Sequence, residues 1–324
     1  MEILITGGCG FIGSHLCENL YKKGHRLRIL DNFSSGSRKN IEHLLKRDAS
    51  KGHIQLFEGD CTNSLDVKNA LKNVDVTFHL AANPEVQLDI CDPKTCFHEN
   101  VYATYTLLEE LRNNPTIHTI LFASTSTVYG DAEVVPTPED YAPLKPISLY
   151  GACKLSSEAI ITAYAYNYNK NAIILRLANI IGARSQHGVT FDFVKKLKKD
   201  PSNLEILGDG TQTKSYLYID DCIDAIETAW KTTRTQGNRV ETYNIGSENQ
   251  IAVNRIAEII IEEMCLKNVN ISYTGGVDGG RGWKGDVKNM FLDIAKLTAK
   301  GWKPKLNSDE AVRKTTKEII RKTS

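Results

Sequence analysis

No apolar run in this 324-residue chain approaches the ~20 residues that a membrane-spanning helix needs. The opening MEILITGG begins on a strand-like pattern, with neither the basic segment nor the cleavage site of a secretory leader. These two absences point to a cytoplasmic protein without a membrane partner. A dominant charge is lacking too: 40 Lys and Arg stand against 39 Asp and Glu, a net charge of +1. There is thus no general field to hold nucleic acid, and any anion must be met by local donors. The eight cysteines (Cys9, Cys17, Cys61, Cys91, Cys96, Cys153, Cys222 and Cys265) include no CxxC pair. That removes the commonest zinc and redox spacings, so no metal is expected and the thiols read as reduced and mostly packed. Internal repeats and low-complexity linkers are missing as well, which excludes a solenoid and leaves only a polar KTS end to fray.

What is present is a rhythm. Short β-branched apolar runs, EILIT (2 to 6), HRLRILD (25 to 31), HIQLFEGD (53 to 60), VDVTFHLAA (74 to 82), HTILFAS (118 to 124) and AIILRLAN (172 to 179), alternate with amphipathic stretches. Continuously apolar strands are buried on both faces, and helical crossovers between them make a parallel sheet. The expected fold class is α/β: a doubly wound parallel sheet over residues 1–180, then a smaller C-terminal α/β lobe over 181–324. YNIGS (243 to 247) reads as one more sheet strand, so the first domain is expected to be rejoined by segments near 215–246. The lobe itself reads as short elements, with a turn-rich LGDGTQ and helices around Asp221 to Lys231 and Val253 to Met264.

TGGCGFIG, Thr6 to Gly13, lies between the first strand and the first helix. Gly7, Gly10 and Gly13 permit a tight turn, close approach of backbone to a pyrophosphate, and close packing of helix on strand, while the helix N-terminus offers free N–H groups to the anion. Asp31 ends the second strand, where a carboxylate accepts hydrogen bonds from an adenosine ribose and repels a 2′-phosphate; this favours NAD over NADP. A glycine turn and a strand-end Asp with no ligand is the plainer alternative. Asp60 and Cys61 close the third strand, either at an adenine edge or as a helix cap.

With that loop in place, Tyr150-Gly-Ala-Cys-Lys154 resembles the extended short-chain dehydrogenase/reductase family, and the likeness runs through the whole chain. HLAA (79 to 82), Asn100-Val101, STSTVYG (124 to 130), LRLAN (175 to 179), GDGTQTKSYLYIDD (208 to 221), YNIG (243 to 246) and RGWKGD (281 to 286) are similar to that family's successive landmarks. Within it the likeness is greatest to the UDP-glucose 4-epimerases and their nucleotide-sugar relatives. The resemblance implies a Rossmann sheet binding NAD, with a nucleotide-sugar-binding lobe. It extends the cofactor contacts to Phe11, Ile12, Asn32, Leu80, Ala81, Ala82 and Asn100, together with Tyr150 and Lys154.

Residues four apart share a helix face, so Lys154 can stand beside Tyr150. A phenol, with its ordinary pKa of about 10, is a poor base at neutral pH, but a cation at ~4 Å and an effective dielectric near 20 is worth about 4 kcal/mol, roughly 3 pKa units. The family mechanism then implies that Tyr150 takes the proton of a sugar hydroxyl as hydride leaves the same carbon for NAD, with Lys154 also holding the nicotinamide ribose. Thr125 falls where the family places the hydroxyl that orients the substrate, and Ser124 is the other candidate. Related dehydratases carry Asp-Glu, and related decarboxylases a Glu, in the two positions occupied here by Ser126 and Thr127. A hydroxyl cannot replace a carboxyl in removing a C5 proton, so redox at one carbon is what remains. For the diphosphate, Arg176, Asn179, Arg184, Lys214 and Arg281 are candidates, and each can equally be an ordinary surface charge or polar group. Lys214 departs from a family Arg and cannot make the bidentate fork of a guanidinium. Glu205 to Leu207 corresponds to the strand lining the base, with Leu207 where an aromatic often stacks. The implied reaction is NAD-dependent interconversion of UDP-glucose and UDP-galactose at C4 through a transient 4-keto sugar. Another nucleotide-sugar epimerase or reductase (N-acetylhexosamine or 2-epimerase) and a non-catalytic dinucleotide-binding protein are the alternatives. Apolar residues on more than one face of Tyr102 to Leu111 and Ala152 to Tyr168 suggest a homodimer.

Overall fold

The computed structural model describes residues 1–84, 92–233 and 239–323, so Cys91 lies outside the described residues. The chain forms two compact units that alternate along the sequence. The first comprises Met1–Val128, Leu149–Arg176 and Ile226–Tyr243, and the second Tyr129–Ser148, Leu177–Ala225 and Asn244–Ser324.

In the first unit the apolar runs become β1 (Glu2–Thr6), β2 (Arg26–Asp31), β3 (Ile54–Glu58), β4 (Val76–His79), β5 (Thr119–Thr125) and β6 (Asn171–Leu177). With the later strand Val240–Ile245 they make a seven-stranded sheet in the order 240–245, β6, β5, β4, β1, β2, β3. β1 runs parallel to β2 and β4, β2 to β3, and β4 to β5. The helices between them are α1 (Phe11–Lys22), α2 (Glu42–Asp48), α3 (Ser64–Ala70), α4 (Pro93–Phe97), α5 (Ala103–Arg112) and α6 (Leu149–Asn167). This is the doubly wound, Rossmann-like sheet expected from the runs, with its order reversing beside β1.

Strand alternation gives the sheet two dry faces. Leu4, Leu30, Ile120 and Phe122 join Val67, Leu107, Leu111 and Ile161 of α3, α5 and α6 in one buried cluster. Ile5 and its neighbour Phe78 face the other way, and Phe78 meets Trp230 edge to face with 5.3 Å between ring centroids. Each such apolar side chain contributes about 1.5–3 kcal/mol when fully buried. Because the strands are parallel, their C-terminal ends at Thr6, Asp31, Glu58, His79 and Thr125 share one edge, where open α/β sheets bind ligands.

The second unit is made of smaller pieces. Tyr216–Tyr218 pairs in parallel with Asn179–Ile181, Asn270–Tyr273 with Asn203–Ile206, and Thr213–Lys214 lies between Ile251–Ala252 and Asn289–Met290. The helix Ser308–Thr323 buries Ala311, Val312, Thr315, Thr316 and Ile319, the three-and-four spacing of an amphipathic helix. Among the described residues no helix is long and apolar enough to cross a membrane. Cys9, Cys17, Cys61, Cys96, Cys153 and Cys222 are buried free thiols, and Cys265 is exposed.

Candidate active site

Two glycines of the loop, Gly7 and Gly13, admit no side chain. Gly7 has φ +69°, and a Cβ there would come 2.7 Å from Ala81 N; one on Gly13 would come 2.1 Å from Gly7 O. α1 starts from Gly10 with no side-chain cap and no acidic residue in its first turn, where Phe11 and Ile12 stand, so its first N–H groups are left to an anion. Asp31 accepts Cys9 N–H at 2.8 Å and Phe33 N–H at 2.9 Å. Burial raises its pKa and these two donors oppose the rise. Each carboxylate oxygen retains a lone pair for a ribose hydroxyl. Uncapped helix, bare glycine turn and strand-end carboxylate together fit the adenosine-pyrophosphate half of NAD.

Asp60 accepts from Asn32 Nδ2 at 2.7 Å, Thr62 N at 2.8 Å and Thr62 Oγ1 at 2.7 Å. It is not a helix cap: Asn63 takes that role for α3, accepting from Leu65 N and Asp66 N. Cys61 beside it is buried, and its thiol is pushed up to about 12 by that burial. Leu80 and Ala81 are tied to the end of β1 by Leu80 N–H on Thr6 O and Ala81 N–H on Thr6 Oγ1, 3.2 Å each, with Ala82 following. Asn100 lies in the single π-helical turn His98–Tyr102 between α4 and α5. Its Nδ2 donates to Cys96 O at 2.8 Å, while its buried Oδ1 has no partner among the described residues.

A buried histidine, unflagged in the sequence beyond its place in HLAA, organises this edge. His79 Nδ1 is 2.8 Å from Thr6 Oγ1 and its Nε2 is 3.0 Å from Thr104 Oγ1. Thr104 donates its proton to Asn100 O at 2.6 Å, so it accepts from Nε2–H, and Nδ1 accepts from Thr6. Burial, helped by the charge of Lys154, lowers the imidazole to about 3 and keeps it neutral in this one tautomer. The result is a directed chain from Ala81 N–H through Thr6, His79 and Thr104 to Asn100.

Tyr150 and Lys154 open α6, whose buried stripe continues through Ser157, Glu158, Ile161 and Ala165. Lys154 is 3% exposed; its Nζ donates to Ala123 O at 2.9 Å, and lies 4.7 Å from the ring centroid of Phe122 and 5.9 Å from that of Tyr150. Burial pulls its pKa down to about 8, against the opposing pull of Glu158 one turn further on. At the end of β5, Thr125 Oγ1 is 3.1 Å from Thr127 Oγ1 and accepts Thr127 N–H, with Ser126 buried between them.

Two expected ligand contacts are redirected here. Arg176 does not serve a diphosphate: it is 6% exposed and its guanidinium clasps Glu158, with Nη2 to Oε2 at 2.8 Å and Nε to Oε1 at 3.2 Å. Ser124 donates a short hydrogen bond to the same carboxylate, which leaves Thr125 as the hydroxyl not committed to an acid. Glu158 escaped the sequence reading, although its place one turn past Lys154 was a usable signal.

In the second unit the candidate cations Lys214 and Arg281 already have acidic partners. Lys214 Nζ is 2.5 Å from Asp286 Oδ1 and 5.5 Å from the Trp283 ring centroid. Arg281 forks onto Asp131, Nη1 to Oδ1 at 3.1 Å and Nη2 to Oδ2 at 2.9 Å, and also donates to Asp286 O. Asn179 Nδ2 donates to Ser215 O at 3.3 Å. Glu205 and Leu207 are exposed, Glu205 through its side chain and Leu207 while its carbonyl accepts from Gln212 Nε2 at 3.1 Å. Arg184 sits in a left-handed conformation at φ +73°.

Residues 3–246 match the model of the NAD dependent epimerase/dehydratase family. Among individual proteins, the chain is 30% identical over 278 residues to the UDP-glucose 4-epimerase of Corynebacterium glutamicum, covering 81% of this chain and 80% of that one. A crystal structure of a UDP-galactose 4-epimerase is 38% identical, with a TM-score of 0.87 and 100% of each chain covered. The UDP-glucuronic acid 4-epimerase of Bacillus cereus, crystallised with UDP-glucuronic acid and NAD, is 29% identical with a TM-score of 0.87 over 99% of each chain.

Proposed function

Since the chain belongs to the NAD dependent epimerase/dehydratase family, we propose that it is a nucleotide-sugar 4-epimerase interconverting UDP-glucose and UDP-galactose. NAD is its cofactor, and bound at the glycine loop and Asp31 it would supply a reversible hydride acceptor for the sugar carbon. Tyr150 receives the proton of the C4 hydroxyl as the 4-keto sugar forms, and gives it back when hydride returns to the opposite face. Lys154, as an ammonium, favours the phenolate, and the hydroxyl of Thr125 orients the sugar oxygen. Lys214, Arg281 and Asn179 meet the diphosphate, the two cations by exchanging part of their contact with Asp286 and Asp131.

One observation carries this reading against elimination chemistry: the turn after β5 presents the hydroxyls of Ser126 and Thr127, the latter hydrogen-bonded to Thr125, where removal of a C5 proton needs a carboxylate. A purely dinucleotide-binding role is disfavoured by Lys154, because burying an ammonium next to a tyrosine is costly and serves proton transfer. A second reading, a 4-epimerase of uronic or N-acetylated UDP-sugars, is supported by the likeness to solved enzymes acting on such substrates. Offering UDP-glucose, UDP-glucuronic acid and UDP-N-acetylglucosamine in parallel and following the anomeric signals by NMR separates the two. UDP-galactose should accumulate fastest from UDP-glucose; epimer formed only from the uronic or N-acetyl sugar would replace the first reading with the second.

A homodimer is part of the same proposal. Tyr102, Tyr105, Tyr166 and Tyr168 are exposed on and beside α5 and α6, an aromatic surface suited to a second copy. The buried free thiols suit a reducing compartment, in keeping with a cytoplasmic location.

A further inference from the structure

Cys96 in α4 and Cys153 in α6 bring their sulfurs to 3.9 Å in a buried pocket that also holds Val101, with Leu149 and Tyr150 packed against it. Cys96 is 4% and Cys153 2% exposed. Among the described residues no group of three His, Cys, Asp or Glu side chains could hold a metal, so two thiols are all that the pocket offers a soft ion. Cysteines near in space and far apart in sequence are instead suited to one reaction, oxidation to each other.

We propose that Cys96 and Cys153 form a dithiol modification site that hydrogen peroxide converts to a disulfide, and that this bridge arrests the chemistry at Tyr150 and Lys154. Cys96 is assigned as the first sulfur to react, its Sγ having Asn100 Nδ2 at 3.8 Å as well as the Cys153 sulfur at 3.9 Å. The thiolate attacks one peroxide oxygen, the O–O bond breaks, and hydroxide leaves to become water, giving a sulfenic acid on Cys96. The Cys153 sulfur then attacks the Cys96 sulfur, the S–O bond breaks, and a second water leaves. In sum, two thiols and one peroxide give one disulfide and two waters; the thiols lose two electrons and the peroxide gains them.

Bridging requires the sulfurs to close from 3.9 Å to about 2.05 Å. Both anchors touch the site. Cys153 adjoins Lys154 in the chain, one turn past Tyr150, and the Cys96 carbonyl holds the Asn100 side chain at 2.8 Å. A displacement of about 1 Å at a reacting group is enough to cost about 100-fold in rate.

The test is titration of the NAD-loaded enzyme with hydrogen peroxide, read by three measurements. Intact and peptide mass spectrometry should show loss of two hydrogens and a linked pair of peptides holding Cys96 and Cys153. Hydrogen exchange at residues 149–154 should change with the bridge, a readout that does not depend on which sugar is turned over. Turnover should fall at least 10-fold and return with dithiothreitol, while C96S and C96A, each compared with its own untreated sample, resist peroxide. A bridge to any other cysteine, a Cys96–Cys153 bridge that leaves exchange and turnover unchanged, or equal inactivation of the wild type and both variants would overturn the proposal.

Discussion

Replacing Lys154 with Met should abolish turnover and yet make the protein more stable at neutral pH. Burial, opposed by Glu158, takes the lysine from 10.5 to about 8 in the folded chain. The difference, 10.5 − 8, at 1.36 kcal/mol per pKa unit, means that the ammonium costs the fold about 3 kcal/mol wherever both states carry the proton. Met keeps the shape of the stem without the charge. It also deprives Ala123 O of its 2.9 Å donor, a loss of about 1–2 kcal/mol. Below pH 8, therefore, the variant should be the more stable by about 1–2 kcal/mol. Between pH 8 and 10.5 the unfolded wild-type chain binds more protons at this site than the folded one, so wild-type stability rises with pH relative to the variant. By pH 10.5 the ammonium penalty has largely gone, only the missing hydrogen bond remains, and the order reverses. Urea midpoints of both proteins at pH 7 and pH 10.5 measure this directly. A variant that is less stable by the same amount at both pH values would refute the claim that the fold carries Lys154 at a cost.

Gly13→Ala places a Cβ 2.1 Å from Gly7 O, so the loop must open; NAD affinity measured by calorimetry should fall at least 10-fold, and unchanged affinity would mean that the dinucleotide lies elsewhere. Arg176→Met leaves Glu158 buried without its cation, and should destabilise by about 3–5 kcal/mol in chemical denaturation. A loss under 1 kcal/mol would return Arg176 to the list of diphosphate donors. His79 is neutral when folded, with its pKa lowered to about 3, and protonates near 6.5 when unfolded. The unfolded state thus binds more protons below 6.5, and stability should drain as pH falls from 6.5 towards 3, by up to about 5 kcal/mol from this residue. A His79→Asn variant with an equally steep acid limb would place that loss in other groups.

The sheet was legible in the sequence because its strands are continuously apolar, a pattern that burial on both faces demands, and the runs at 2 to 6, 25 to 31 and 118 to 124 lie on β1, β2 and β5. The glycine loop was legible for a different reason: Ala81 N leaves no room for a Cβ at Gly7, and Gly7 O none at Gly13, so these two glycines are forced. Pairings between distant polar residues left no local trace. Glu158 and Arg176 each look like a lone charge in an apolar setting, and only folding shows that they neutralise one another and draw in Ser124. Asp131 and Arg281 are farther apart still in the chain, so nothing local showed that an arginine read as a diphosphate donor or a surface charge is held by an acid. His79 read as one letter of HLAA, and its tautomer depends on Thr6 and Thr104, contributed by other elements.

The central claim is that hydride leaves one sugar carbon and returns to that same carbon, with Tyr150 exchanging only the hydroxyl proton. It is tested most directly by turning over UDP-galactose in deuterated water, exchanging the hydroxyls back in ordinary water, and weighing the UDP-glucose by mass spectrometry. Internal hydride return predicts product with no deuterium on carbon and no need for added NAD beyond that bound. A one-unit gain that survives the exchange, or product lighter by one water, would contradict it.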